Sequence, residues 1–282
     1  DVVICEEPSF IGSLNTFRSY KVRLRGVPME KDGMDMQALE KALQEEKTAK
    51  FIYTIPNFQN PSGITMSWEK RKQLYELAKK YGVMILEDNP YGDLRFAGDH
   101  VPAIKSLDQE GLVMYAGTFS KVISPGIRVG YGIGPKQVLQ KMIVCKQGED
   151  VHTGMLSQII CDEFMTRYDY DAHLAGLKDI YRKKSGIMLE QMEKHLRPLG
   201  IDWNPIEGGL FLWCKLPEGV DMPAFCKAAV LNKVCVVPGN AFLTDDTAPC
   251  QAFRINFSTP TDEQLVRGIE ILAETARQVF AK

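Results

Sequence analysis

At 282 residues, 45% of them hydrophobic and 25% charged, the chain has an ordinary globular composition and length enough for about two domains. A formal net charge of −2 offers no field for drawing in nucleic acid, and no apolar run approaches the roughly 20 residues of a membrane span. Seven cysteines and four histidines lie scattered, without a CxxC pair or metal-ligand spacing. That pattern predicts reduced thiols, a cytoplasmic setting and no zinc site.

The chain opens at Asp1, with no Met or signal peptide, and runs at once into an apolar strand from Val2 to Cys5. Such a start is expected of a fragment or a processed chain. A loop, EEPSFIGS, leads to a short helix over 14–20, and Tyr20 to Leu24 then alternates apolar and charged residues like a second strand. Asp35 is a good N-cap for a helix with Met36, Leu39 and Leu43 on one face. Phe51 to Ile55 reads as a buried strand. Ser67 caps a helix over 68–81 that Gly82 ends, and Val83 to Leu86 is the next strand. Strands separated by helices of this size predict βαβ units, hence an α/β fold with a mostly parallel sheet flanked by helices.

Leu112 to Ala116 and Arg128 to Ile133 read as two more strands around a polar loop. The glycines from Gly130 to Gly134 complete no G-x-G-x-x-G and run into Pro135, which argues against a dinucleotide turn. Two helices follow over 136–166, then a nearly continuous one from Tyr168 to about Arg197. Strands at Gly209 to Lys215, Val234 to Val237 and Ala252 to Phe257 come next, with two helices. The last helix is expected to start with Thr259 at the N-cap and Pro260 at N1. The organisation predicted is a large domain over 1–170 and, over 171–282, a linking helix with a smaller α+β domain.

Ligands of parallel sheets bind outside the carboxyl ends of the strands. Three such ends carry unusual chemistry. PNFQNPSG, with Asn60, follows one strand; EDNPYGD, with Asp88 and Tyr91, ends the next; the third leads into Thr118, Ser120 and Lys121, with Arg128 beyond. Singly, Asn60-Pro61 and Asp88-Asn89-Pro90 are explained as turns and Lys121 as a solvated loop residue. Together on one rim they have the geometry of an active site. Two hydroxyls and a guanidinium suit a phosphate, and an amine beside a phosphate ester suits a Schiff base with a phosphorylated aldehyde.

NPSG at 60–63, EDNPY at 87–91, TFSK at 118–121 with Arg128, and RINFS at 254–258 resemble the fold-type I, pyridoxal-phosphate-dependent class I/II aminotransferases. EGGLFLWCKLP at 207–217 and VVPGNAF at 236–242 are similar to the multi-substrate branch acting on aromatic amino acids, 2-aminoadipate and kynurenine. The resemblance covers essentially the whole chain. It implies pyridoxal 5'-phosphate in the 1–170 domain. Lys121 would form the Schiff base and move a proton between the substrate Cα and the cofactor C4′. Asp88 would pair with the pyridine nitrogen, Tyr91 and Asn60 with the ring's phenolic oxygen, and Thr118, Ser120 and Arg128 with the phosphate.

Phe10 falls where the family stacks an aromatic ring on the cofactor, a core Phe being the plainer alternative. Arg254, between apolar Phe253 and Ile255, points to the other side of its strand, towards solvent or a cleft. It would bind the substrate α-carboxylate, assisted by Asn60; Phe242 has two readings, lining the substrate side of the cleft or, more plainly, core packing. The resemblance further implies a homodimer that moves an amino group from an α-amino acid to a 2-oxo acid, with 2-oxoglutarate expected. It also implies a further N-terminal stretch that helps to hold the phosphate. Two rivals stay open at this point: the effector-sensing domain of a MocR-type transcription regulator, and a β-lyase on the same fold.

Overall fold

The computed structural model describes residues 1–281. Seven strands make the larger sheet: β1 (Val2–Glu7), β2 (Arg23–Glu30), β3 (Gly33–Met34), β4 (Ala49–Thr54), β5 (Met84–Asp88), β6 (Val113–Thr118) and β7 (Gly130–Ile133). Their order is β3-β2-β1-β4-β5-β6-β7. The inner strands β2, β1, β4, β5 and β6 are parallel neighbours, and only the edges β3 and β7 run antiparallel. This is the mostly parallel α/β architecture that the alternation of strands and helices predicts.

Strand side chains point alternately to the two faces, so a parallel sheet needs cover on both. Val2 and Ile4 of β1 enter one cluster with Leu39, Leu74 and Ile85, beneath α2 (Met36–Glu45) and α3 (Trp68–Tyr81). Val3 and Cys5 enter the other, with Leu14 of α1 (Ile11–Ser19), Tyr53 and Tyr91. Helix α3 has the ends its sequence predicts. Ser67 accepts a hydrogen bond from the Lys70 amide, and Gly82 closes the helix at a left-handed φ of 64°.

After β7 come α4 (Lys136–Glu149), α5 (Met155–Arg167) and the long α6 (Tyr170–His195). The second sheet is antiparallel, ordered β10-β11-β9-β8, from β8 (Asp202–Trp203), β9 (Phe211–Lys215), β10 (Val237–Pro238) and β11 (Ala252–Asn256). It shares a core with α7 (Met222–Leu231) and α8 (Asp262–Phe280). Helix α6 serves both cores, with Leu174 and Leu177 against the larger sheet and Met188 and Met192 against the smaller. Among the described residues no helix is long and apolar enough to cross a membrane.

Three local expectations need correction. The second strand lies at 23–30 rather than 20–24, because Tyr20 closes α1 and Lys21 turns the chain at a φ of 56°. The strand expected over 234–237 is reduced to Val237–Pro238, since Lys233 takes a left-handed φ of 70° and the chain straightens late. Helix α8 is capped by Thr261, not Thr259. Gln264 decides this: its amide donates to the Thr261 hydroxyl, and its side chain accepts from the Thr261 amide, a reciprocal capping box that Thr259 cannot form.

Candidate active site

The carboxyl ends of β4, β5 and β6 are neighbours in the sheet, so the residues that follow them share one rim. Asp88 ends β5, and its Oδ2 accepts a hydrogen bond from the Tyr53 hydroxyl at 2.7 Å. Ser13 on α1 donates to that same phenol oxygen at 2.9 Å. Burial pushes the Asp88 carboxyl above its ordinary pKa, and the Tyr53 donor pulls the other way. Tyr91 lies buried, edge-on to Phe211 with ring centroids 5.9 Å apart. Its phenol is pushed up by burial and then by the Asp88 charge, while Arg254 and Asn60 oppose the rise.

Asn60 sits in the loop after β4, and the loop is tied down by a carboxylate that sequence reasoning missed. Glu6, 1% exposed, accepts from the Thr54 hydroxyl at 2.5 Å and from the Ile55 amide and Gln59 Nε2 at 3.1 Å each. Gln59 Nε2 also donates to the Pro8 carbonyl, and its Oε1 accepts from the Ser62 amide. The two residues flanking Asn60-Pro61 are thereby fixed. A few residues on, Arg71 is fully buried and donates to the carbonyls of Met66, Pro56 and Pro102 and to Asn57 Oδ1, which holds the base of the same loop.

Thr118, Ser120 and Arg128 converge. The Thr118 hydroxyl lies 3.0 Å from Ser120 Oγ and accepts from the Ser120 amide at 3.1 Å. Arg128 Nη1 reaches Ser120 Oγ at 3.4 Å, from a backbone at φ 53° and ψ 42°. Lys121 is half-buried, and burial, then the charges of Arg128 and Arg254, hold its amine below the ordinary lysine pKa.

Arg254 of β11 faces away from Phe253 and Ile255, which enter the core, and crosses to the larger sheet. Its Nη1 donates to Asn60 Oδ1 at 2.7 Å. The guanidinium lies 4.0 Å from the Phe211 ring centroid and 5.0 Å from that of Phe242, itself fully buried. Its Nε is buried without a hydrogen-bond partner among the described residues. Phe10 stands half-buried in the cluster of Tyr53 and Tyr91 and folds back over Gly12, where a Cβ would come within 2.6 Å of the ring.

The structure thus brings all nine sequence-predicted residues to this region and adds Glu6, Ser13, Tyr53 and Gln59. Glu6 and Ser13 lie within EEPSFIGS and Gln59 within PNFQNPSG, but nothing in those stretches or in the strand of Tyr53 singles the four out; their roles arise from contacts between elements. Lys121, Arg128 and Arg254 form no ion pair among the described residues. Among the described residues, an orphaned buried Nε, two facing hydroxyls beside a guanidinium and a half-buried carboxylate with one free oxygen suit a small ligand carrying a phosphate, a carboxylate and a basic ring nitrogen.

The sequence profile of aminotransferase class I and II matches residues 1–272. The chain is 37% identical over 286 residues to aromatic-amino-acid aminotransferase 1 of Thermococcus litoralis, covering 100% of this chain and 68% of that one. Among solved structures, the multiple substrate aminotransferase of Thermococcus profundus superposes with a TM-score of 0.94 at 34% identity, over 100% of this chain and 70% of that one. The alpha-aminoadipate aminotransferase of Thermus thermophilus, complexed with N-(5'-phosphopyridoxyl)-L-leucine, gives 0.93 at 30% identity, over 100% and 72%. The chain belongs to the class I and II aminotransferases, and its chemistry is pyridoxal-phosphate-dependent transamination.

Proposed function

We propose that Lys121 is the group that holds the cofactor and carries the proton, and that the chain moves amino groups from α-amino acids to 2-oxoglutarate. The observation that carries this is an amine held half-buried beside two guanidiniums, with no carboxylate to pair it among the described residues. Burial and like charge favour the free base, the form that attacks a carbonyl or takes a proton. Pyridoxal phosphate supplies, when bound, an electrophilic carbonyl and a ring that draws electrons from the substrate Cα.

The chain's own residues then divide the work. Lys121 would serve as the general base for the substrate Cα proton and afterwards, protonated, as the general acid. Asp88, as an anion, keeps the ring nitrogen protonated. Tyr91 and Asn60 donate to the ring's phenolic oxygen. Thr118, Ser120 and Arg128 bind the phosphate, and Phe10 covers the ring. Arg254 offers its free Nε edge to the substrate carboxylate while Nη1 stays on Asn60. The same reading takes residues 1–170 as the cofactor-binding domain and 171–282 as the linking helix and small domain, in a cytoplasmic homodimer. The names of the relatives, aromatic and aminoadipate aminotransferases among them, support a broad choice of amino donor.

The test is the visible absorbance of the purified chain with pyridoxal phosphate, before and after glutamate. A band that forms, is lost in Lys121→Ala and bleaches with glutamate is the expected outcome. Borohydride trapping should place the added cofactor mass on the Lys121 peptide. A band retained by Lys121→Ala would overturn the assignment.

A further inference from the structure

We propose that Tyr53 and Ser13 are positioning residues for Asp88: their hydroxyl chain holds that carboxyl as an anion and leaves one defined oxygen for the ring nitrogen. The inference rests on the role proposed for Asp88 and deepens it.

A phenol has a single proton. A carboxylate can only accept, so the Tyr53 proton goes to Asp88 Oδ2 at 2.7 Å. The phenol oxygen then has only lone pairs to offer, and Ser13 Oγ, at 2.9 Å, must be the donor to it. The direction of the chain and the charge of Asp88 are therefore coupled. Were Asp88 neutral, its own proton could point to the phenol and the whole chain could reverse. The geometry is fixed from both sides. Tyr53 is 1% exposed, and Phe17 lies edge-on to its ring with centroids 5.5 Å apart. The chain crosses three elements, α1, β4 and β5, so it also fixes their spacing.

The surroundings make such a donor necessary. Asp88 is half-buried, and the titratable groups facing it are Tyr53 from β4, Glu6 from β1 and Tyr91 from the loop beyond β5. Glu6 is itself a carboxyl, and the two phenols carry no positive charge. Among the described residues the Tyr53 hydroxyl is the one group that opposes burial at Asp88. A donor on Oδ2 favours the ionic pair, with the shared proton on the ring nitrogen, over the neutral pair, with that proton on Asp88.

The experiment uses the chain loaded with pyridoxal phosphate labelled with nitrogen-15 in its ring. Three variants are compared: Tyr53→Phe, which removes one oxygen and keeps the ring; Ser13→Ala; and Asp88→Asn. In Tyr53→Phe the ring-nitrogen signal should move towards that of neutral pyridine. The kcat should fall about 10-fold, with KM for the amino donor unchanged because Arg254 is untouched. Ser13→Ala should move both in the same sense by less. Adding Tyr53→Phe to Asp88→Asn should change nothing further. A wild-type nitrogen signal and kcat in Tyr53→Phe, beside a damaged Asp88→Asn, would overturn this proposal and leave the role of Asp88 standing. A wild-type Asp88→Asn would overturn both.

Discussion

Glu6 gives the sharpest quantitative expectation, because a fully buried carboxyl makes stability depend on pH in a calculable way. Burial raises its pKa from 4.5 to about 7, and Asp88 adds to the rise against the donors Thr54, Ile55 and Gln59. Below pH 4.5 the group is protonated in both folded and unfolded chains, and its contribution to stability is fully present. As pH rises, the unfolded chain releases the proton first, and stability falls until the folded form also ionises near 7. At 1.36 kcal/mol per pH unit, the loss across that window is about 3 kcal/mol. Glu6→Gln has no proton to lose. Its amide oxygen can still accept from Ile55 and Gln59, and the Thr54 hydroxyl can turn to accept from the new amide. Urea unfolding of both proteins in steps from pH 4.5 to 8 is the assay, with free energies from linear extrapolation. Glu87 and Asp88 are also raised by burial, but both proteins carry them, so their effect cancels in the difference. The variant should gain on the wild type by about 3 kcal/mol between the two ends. Parallel profiles would refute the reasoning and mean that Glu6 is ionised in the folded chain throughout.

Arg254→Lys keeps the charge but removes the planar fork and its seat between Phe211 and Phe242. Losing a charge-assisted pair of hydrogen bonds should cost about 1.5–3 kcal/mol, which is on the order of 10–100-fold in kcat/KM for the amino donor. Cofactor absorbance before substrate should stay unchanged, and steady-state kinetics with spectra checks both. Ser67→Ala removes the N-cap of α3 and a hydrogen bond to Asp32 at 2.9 Å. It should lower stability by about 1 kcal/mol in chemical unfolding and leave kcat untouched.

What could be read from the sequence was whatever is encoded locally. Helix α3 announces both ends, with the Ser67 hydroxyl accepting at one and Gly82 in a left-handed turn at the other. The order of strands and helices, with the rule that ligands gather at strand carboxyl ends, puts Asn60, Asp88 and Lys121 on one rim without coordinates. What escaped is whatever depends on register. Tyr53 and Asp88 lie on adjacent strands 35 residues apart, and Arg254 and Asn60, 194 residues apart, are joined at the level of sequence only through the family resemblance. No periodicity carries such pairings, because which side chains meet is set by how the strands slide past one another. Glu6 was hidden for a related reason: a charged residue at a strand end looks exposed until the neighbouring loop is folded over it. The misplaced second strand shows the opposite error, where the alternation began in the turn at Tyr20 and Lys21 and only Arg23 and Leu24 of that run belong to β2.

The backbone at Arg128 has a consequence for the history of this site. An L residue in the left-handed region costs on the order of 1–2 kcal/mol that glycine does not incur, only partly offset by glycine's greater freedom when unfolded. Selection for heat resistance alone would therefore favour glycine at 128 and take the guanidinium away from Ser120. On the reading proposed above, in which Arg128 binds the phosphate, that anion is what would keep an arginine there against the pull. The same reading expects that in a lineage released from turnover this position drifts early, with the sheet and both cores intact around it.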